Sequence, residues 1–400
     1  MRMLPALVVL TVSSLAGCGK PVPANTRGCY GSGCAIITTS HYNPDFTGNG
    51  TLHTVKFPER KVTSAIDASL DPDLDVEIRD DKLYTLNRNS GTVRRYDIVT
   101  FAIDFEISTG DPSAPNTLSS PRDMWIDPGS TKIYVSLSGN DGAQAIGILD
   151  TRTPNAGVVK FIAIPAIASD TDGKPEASDL YACKGKLYVS TQDYTIMGRD
   201  VSYTGAGRIA IIDLKQDAVV GTITLAGKNP GQVKAEGGDC EKAFVATASS
   251  LTSIPDDTSG IERLDLAQKK TLGMIVKDTD IAGRPFAIEV ASPTLMFAGI
   301  YFDPQLGFDG KEYLGSAKVI AINPQTGKLI GDVTGKAGFI NFVQISPDRR
   351  LFVGVGAFGG MADPGKMAEG LYVGPADGTM LDAASVLSLG QTPSAVAFHQ

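Results

Sequence analysis

The chain has 400 residues, of which 42% are hydrophobic, and it contains 44 glycines and 23 prolines, as expected for a turn-rich globular protein. Its formal net charge is −8 and it has no basic run, so nucleic acid is not a predicted partner. After the N-terminal apolar run, no second hydrophobic stretch approaches the length needed to span a membrane.

The first 17 residues are predicted to be a signal peptide. Arg2 is followed by an apolar run over residues 4–15, which is too short to cross a bilayer, and then by Leu-Ala-Gly-Cys18. These four residues resemble the lipobox of bacterial lipoproteins, which implies cleavage before Cys18 and a lipid on its thiol. An ordinary signal peptide with an incidental cysteine is the alternative. Gly19 is not acidic, so the resemblance favours the outer membrane of a Gram-negative cell envelope.

Residues 18–34 are predicted to be the lipidated cysteine and a flexible tether, because they are rich in Pro, Gly, Asn and Thr. Disulfides are permitted in such a compartment. Cys29 and Cys34 flank a short flexible loop, and Cys183 and Cys240 occupy matching positions in neighbouring repeats. Both pairs are candidates for bridges, although sequence alone does not fix connectivity.

From residue 35 onward one short phrase recurs about every 50 residues. It is clearest as Lys-Leu-Tyr-Val-Ser at Lys186, and it returns, with conservative changes, at Cys34, Lys82, Lys132, Lys242, Leu295 and Arg350. The phrase is β-branched and aromatic, which favours a strand. Each repeat adds three more strand signals; in the fourth they cover residues 177–183, 207–213 and 218–225. Seven repeats of four strands predict an all-β fold, a seven-bladed β-propeller with antiparallel blades over residues 35–400.

Prolines mark the start of the innermost strand of most blades, where a missing N–H does no harm. They are Pro72, Pro121, Pro175, Pro230, Pro285 and Pro393. The first repeat lacks an innermost strand, whereas residues 392–398 form an innermost strand with no repeat after it. The C-terminal strand is therefore predicted to pair into the first blade and close the ring.

The combination of a strand-initial proline, Ser346-Pro347-Asp348, Leu-Phe-Val and a Thr326-Gly327 turn resembles the YVTN family of seven-bladed propellers. That family includes periplasmic and surface-bound bacterial proteins. The resemblance covers residues 35–400 and implies a fold, while its motifs specify no ligand.

Long insertions are predicted between the second and third strands of several blades, on the face where the innermost strands begin. Loops on one face of a rigid ring are common binding sites. Aromatic and acidic side chains there suit a protein, peptide or glycan ligand; the candidates are Tyr194, Tyr203, Tyr301 and Asp303. A solvated loop rim without function is the alternative reading.

Residues next to the marker prolines are predicted to surround the mouth of the central channel. They are Asp73, Arg122, Lys174, Glu176, Asn229 and Arg284. Charges of both signs at one axis suit an anionic or zwitterionic ligand, and a self-satisfied polar ring with ordered water is the alternative.

Two functional classes follow from the sequence. The first is a membrane-anchored, non-catalytic binding or scaffold lipoprotein that needs no cofactor or metal and contacts the bilayer through Cys18. The second is a metal-assisted hydrolase or lactonase with a carboxylate site in the channel, formed by residues such as Asp73, Asp75, Glu176 and Glu289. Nucleophile and zinc-protease motifs do not occur in the sequence, which favours the first class.

Overall fold

A computed structural model describes residues 33–42, 48–57, 59–63, 65–110, 120–138, 144–167, 173–197, 200–203, 205–248, 257–302, 316–356 and 366–399. The predicted signal peptide, Cys18 and most of the tether lie outside these ranges. Within the ranges, no helix is both long and apolar enough to cross a membrane.

The first three blades are antiparallel sheets of short strands. Blade one contains β1 (Cys34–Tyr42), β2 (Gly48–Lys56), β3 (Lys61–Val62) and β4 (Asp67–Leu70), and the last two share its outer position beside β2. Blade two contains β5 (Leu74–Arg79), β6 (Lys82–Asn87), β7 (Thr92–Asp97) and β8 (Ile103–Ser108). Blade three contains β9 (Pro121–Ile126), β10 (Lys132–Leu137), β11 (Gln144–Asp150) and β12 (Val158–Ala163).

The fourth blade carries an additional hairpin. Its sheet contains β13 (Ala177–Cys183), β14 (Lys186–Thr191), β17 (Arg208–Asp213) and β18 (Ala218–Thr224), and the hairpin pairs β15 (Tyr194–Met197) with β16 (Asp200–Tyr203). Blade five contains β19 (Pro230–Glu236), β20 (Asp239–Thr247), β21 (Gly260–Asp265) and β22 (Lys270–Lys277).

The last two blades complete the ring. Blade six contains β23 (Arg284–Ser292), β24 (Leu295–Phe302), β25 (Ser316–Ile322) and β26 (Leu329–Asp332). Blade seven contains β27 (Phe339–Ile345), β28 (Arg350–Gly356), β29 (Gly370–Pro375) and β30 (Val386–Leu387). The final strand, β31 (Thr392–Phe398), pairs with β1 and is the innermost strand of blade one. The predicted seven-bladed propeller and its closure by the C-terminal strand are therefore confirmed.

The recurring phrase forms the second strand of every blade, and this strand is buried on both faces. The aromatic residue at its third position is at most 5% exposed in blades two to seven, and Ile36 takes this place in blade one. Both faces are buried because each blade packs against its two neighbours. The core consequently consists of seven apolar clusters, each between two consecutive blades.

One of the two predicted disulfides is confirmed. Cys183 ends β13 and Cys240 lies near the start of β20, and their sulfurs are bonded with a Cα–Cα distance of 5.6 Å. The bridge joins blade four to blade five at the end of the ring opposite the long loops. Cys29 lies outside the described residues, so the Cys29–Cys34 bridge stays a prediction.

Candidate functional site

Side chains of the innermost strands alternate between the apolar core and the central channel. In β5, Leu74 and Val76 are buried in the core, while Asp75 and Glu77 face the channel. A strand with this alternation presents every second residue to the axis. The innermost strands therefore decide what the channel offers to a ligand.

A cavity of about 390 Å³ occupies the channel. Its volume lies within the range of small-molecule sites. Its lining includes the first residues of several innermost strands and Ser40, near the end of β1, so it reaches the face that carries the long loops. The polar lining residues are Ser40, Asp73, Asp75, Glu77, Arg88, Arg122, Asp123, Asp179, Gln232, Lys234, Asn341, Gln344, Thr392 and Ser394.

Three aspartates from successive blades line this cavity near the start of the innermost strands: Asp75 on β5, Asp123 on β9 and Asp179 on β13. Asp123 accepts hydrogen bonds from the backbone N–H of Met124 (2.8 Å) and of Leu180 (2.6 Å). The second bond ties Asp123 to the next blade. Among the described residues, none of the three aspartates forms an ion pair. We call them the three-aspartate cluster.

Asp123 and Asp179 both have raised pKa values. Burial raises the pKa of Asp123 well above its ordinary value, and the carboxylates of Asp75 and Asp179 and a hydrogen bond with Asp75 raise it further. Burial also raises the pKa of Asp179, although Arg88 and Lys234 counteract this effect. Asp123 lies deep in the protein but is open to the cavity.

Ion pairs bind most of the other charges around the cavity. Arg88 lies 2.8 Å from Asp73, measured between Nη1 and Oδ1, and Lys234 lies 3.0 Å from Glu289, measured between Nζ and Oε2. Neighbouring carboxylates hold the pKa of Arg88 above its ordinary value despite its burial. Arg88 and Lys234 also act on the three-aspartate cluster, but the described residues give its carboxylates no ion pair of their own.

Glu77 lies on β5, two residues after Asp75, and is paired with Arg79 at 3.1 Å between Oε1 and Nη2. Burial raises its pKa to about 7, against the opposing effect of Arg79. The channel thus holds a further carboxyl group that titrates near neutral pH.

Of the six residues predicted at the channel mouth, Asp73 and Arg122 line the cavity. Arg122 is exposed, whereas Glu176, Asn229 and Arg284 are buried and Lys174 is half-buried. Glu176 accepts a hydrogen bond from the Tyr194 backbone N–H (3.1 Å), which fixes the start of the additional hairpin in blade four. Glu176 therefore stabilises the position of a hairpin on the loop face and does not line the cavity.

The four predicted rim residues have different places in the structure. Tyr194 and Tyr203 are directly opposite each other at the base of the β15–β16 hairpin. Tyr301 belongs to β24 and not to a loop, and its ring stacks on Phe286 with centroids 4.2 Å apart. Burial raises the pKa of Tyr301 to about 12, so it is a packed residue rather than a rim residue. Asp303 and the side chain of Tyr203 lie outside the described residues.

Comparisons with known proteins support the architecture. Neither a protein-family model nor a curated protein sequence matches the chain. Among solved structures, the β-propeller domain of Myceliophteria thermophila Cps50 (Swd1) is similar, with a TM-score of 0.54 and 12% identity, covering 83% of this chain and 96% of that chain. These values show a common fold.

Two further structures are similar over most of the ring. Dihydro-heme d1 dehydrogenase NirN in complex with DHE has a TM-score of 0.53 and 17% identity, covering 94% of this chain and 77% of that chain. Kuenenia stuttgartiensis hydrazine synthase has a TM-score of 0.51 and 14% identity, covering 71% of this chain and 73% of that chain. At such identities the likeness extends to the fold alone.

Sequence reasoning did not identify Asp123, Asp179, Arg88 or Lys234 as site residues. A signal was present, since Asp123 lies two residues after a marker proline and Asp179 occupies the matching third position of its strand. Gln232 has the same position in β19, so this position is acidic in blades three and four but not in blade five. The bulges near the start of these strands shift the register and obscure the pattern.

Proposed function

We propose that the protein is a non-catalytic binding protein that holds a small polar ligand in the cavity of its channel. The observation that carries this proposal is the cavity of about 390 Å³ with the three-aspartate cluster on its wall. The three aspartates are half-buried and lack ion pairs, and such carboxylates concentrate at sites that bind or react.

The innermost strands give this site a rigid wall. Each is hydrogen-bonded to a second strand that is buried on both faces, so the charged side chains start from fixed backbone positions. A preorganised site loses little conformational entropy when a ligand binds. The loops on the same face then control access, and Tyr194 and Tyr203 remain candidates for contact with a larger protein, peptide or glycan partner.

The same proposal includes the location of the protein. The lipobox around Cys18 supports attachment to the bilayer of a Gram-negative cell envelope, with the outer membrane favoured by Gly19. The resemblance to the YVTN family supports a periplasmic or surface-exposed role. Residues 18–34 would separate the lipid from the ring and leave the loop face accessible to ligands.

A metal-assisted hydrolase is not supported by the positions of its candidate residues. Asp73 forms an ion pair with Arg88, and Glu289 forms one with Lys234. Glu176 accepts a hydrogen bond from a backbone N–H in blade four. Within the described residues, no group of three His, Cys, Asp or Glu side chains is arranged to hold a metal ion. Only Asp75 of the four candidates belongs to the three-aspartate cluster.

Binding in the cavity is tested by filling it. Gln344 lines the cavity, and Gln344→Trp adds a large ring there. Lys270→Trp, at an exposed position on the outer strand β22, is the control. Native mass spectrometry of each protein with a small-molecule extract should show a bound compound on wild type and on Lys270→Trp but not on Gln344→Trp. Equal binding to all three, or none to any, would refute the proposal.

Membrane attachment is tested separately, with Cys18→Ser. Wild type should partition into detergent and carry a lipid on its N-terminal cysteine by mass spectrometry, and the variant should lose both properties. A wild-type protein that is soluble after cell fractionation would show that the predicted anchor is wrong.

A further inference from the structure

The charges lining the cavity are unequal. Five carboxylates line it, from Asp73, Asp75, Glu77, Asp123 and Asp179, against three cations, from Arg88, Arg122 and Lys234. The pairs Arg88–Asp73, Arg79–Glu77 and Lys234–Glu289 use most of this positive charge. The remaining excess is negative and is concentrated in the three-aspartate cluster.

Two buried polar atoms in the same lining, a hydroxyl and an amide oxygen, are further candidates for contact with a ligand. Ser40 is 4% exposed and Gln232 is half-buried, and both side chains line the cavity. Within the described part of the chain, Ser40 Oγ and Gln232 Oε1 have no hydrogen-bond partner. A buried polar atom without a partner raises the free energy of the folded state. A ligand that donates hydrogen bonds would remove this cost.

The site is too large for a bare metal ion. The three aspartates come from three different blades and do not form a group that could hold a metal ion, among the residues that the structure describes. Apolar residues complete the lining, including Leu74, Phe339 and Val396. A suitable ligand therefore combines positive charge and hydrogen-bond donors with a hydrocarbon body.

We propose that the cavity binds a small organic cation with a primary ammonium group, held by Asp75, Asp123 and Asp179. This inference rests on the proposed function and specifies its ligand. An ammonium group has three donors and no acceptor, which matches carboxylates arriving from three directions.

The probe is cadaverine, a linear diamine. Isothermal titration calorimetry compares it with pentanediol, a neutral molecule of the same length, and with glutarate, an anion of the same length. Cadaverine should bind, while pentanediol and glutarate should bind at least about tenfold more weakly, because a hydrogen bond between charged partners contributes about 1.5–3 kcal/mol.

Isosteric variants locate the binding. Asp123→Asn and Asp179→Asn should each weaken cadaverine binding about tenfold, while Glu59→Gln, which removes one exposed charge, should leave it unchanged. Circular dichroism and thermal melting establish that each variant folds. Equal weakening by Glu59→Gln would mean diffuse surface attraction and would overturn the inference.

The remaining outcomes separate this inference from the proposed function. Glutarate binding that is lost in Arg122→Gln would overturn the cation assignment and leave a binding cavity in place. Cadaverine binding that is unaffected by both asparagine variants would also overturn it. A Gln344→Trp variant that still binds every ligand of wild type would refute the proposed function itself.

Discussion

The second and innermost strands of the blades are adjacent and hydrogen-bonded, yet they differ in how closely they repeat. The third residue of the recurring phrase is Tyr or Phe in six blades and is buried in each. The third residue of the innermost strands varies, being Asp in β9 and β13, Gln in β19, Asn in β27 and Ser in β31. The comparison teaches that the repeat specifies the ring, and that departures from the repeat specify the site.

The two strand sets also differ in what they contribute to stability. Burial of apolar side chains between blades stabilises the ring. Along the channel, buried carboxylates with raised pKa values lower the free energy of unfolding at neutral pH. One deletion and three sets of substitutions test these contributions.

Removal of the closing strand should have the largest effect. Deleting residues 392–400 takes Val396 and Ala397 out of two apolar clusters and leaves β1 without its inner neighbour. We expect a loss of more than about 5 kcal/mol in the free energy of unfolding, since several buried apolar groups are lost. Chemical denaturation measures it, with deletion of residues 399–400 as the control. A truncated ring as stable as wild type would contradict closure by β31.

Truncation in a second strand should cost more than truncation in the channel. Phe297 is fully buried between blades six and seven, so Phe297→Ala should cost about 3–5 kcal/mol. Gln344→Ala, at the cavity wall, should change stability by less than about 0.5 kcal/mol. Urea denaturation of both variants provides the test. Similar losses would show that the channel wall is as important to stability as the core.

Loss of the Cys183–Cys240 bridge should have a smaller effect. The bridged residues are 57 positions apart, and constraining a loop of this length contributes about 2–4 kcal/mol. The Cys183→Ala/Cys240→Ala variant should therefore melt at a lower temperature than wild type. Wild type in reducing buffer should approach the same value, and a variant that matches oxidised wild type would argue against a stabilising bridge.

The smallest effect should be a gain in stability. Asp123 and Glu77 have raised pKa values in the folded protein. As the pH rises, these two carboxyl groups therefore lose their protons at a lower pH in the unfolded chain than in the folded protein. Wild type should therefore lose stability between pH 5 and pH 8, with Glu77 contributing between its ordinary value of 4.5 and about 7. Asp75 and Asp179 face Asp123 from the neighbouring blades, with Arg88 and Lys234 opposing them.

Asp123→Asn should raise the free energy of unfolding at pH 8 by about 1–2 kcal/mol and flatten the pH profile. Thermal melting from pH 5 to pH 8 measures both changes, and Asp377→Asn, at the surface, should leave the profile as it is. A variant that is less stable than wild type at pH 8 would mean that Asp123 is ionised and well compensated.

The fold could be predicted from sequence because its determinants are local and repeated. The phrase at Lys186 has a period of about 50 residues, and an unpaired strand at each end of the chain implies closure. The Cys183–Cys240 bridge could be predicted for the same reason, because both cysteines precede the recurring phrase by a few residues.

The site could be predicted only in part, because it depends on contacts between blades. Asp73 and Arg122 were identified from their distance to a proline, but the same reasoning selected Glu176 and Asn229, which are buried. Both residues immediately precede an innermost strand and have a positive φ, and a spacing rule does not register this local backbone conformation. Tyr301 was assigned to a loop because β24 extends to Phe302, further than the hydrophobic pattern of the sequence indicates.

Closure of the ring also determines when the molecule can finish folding. The hydroxyl groups of Thr38 and Ser394 are hydrogen-bonded at 2.9 Å, although they are 356 residues apart. Blade one therefore stays without its inner strand until the last residues of the chain have been synthesised. Such distant pairing slows folding, and the exposed edge of β1 is a target for wrong strand pairing in the meantime. The chain should consequently depend on whatever protects that edge until β31 pairs with it.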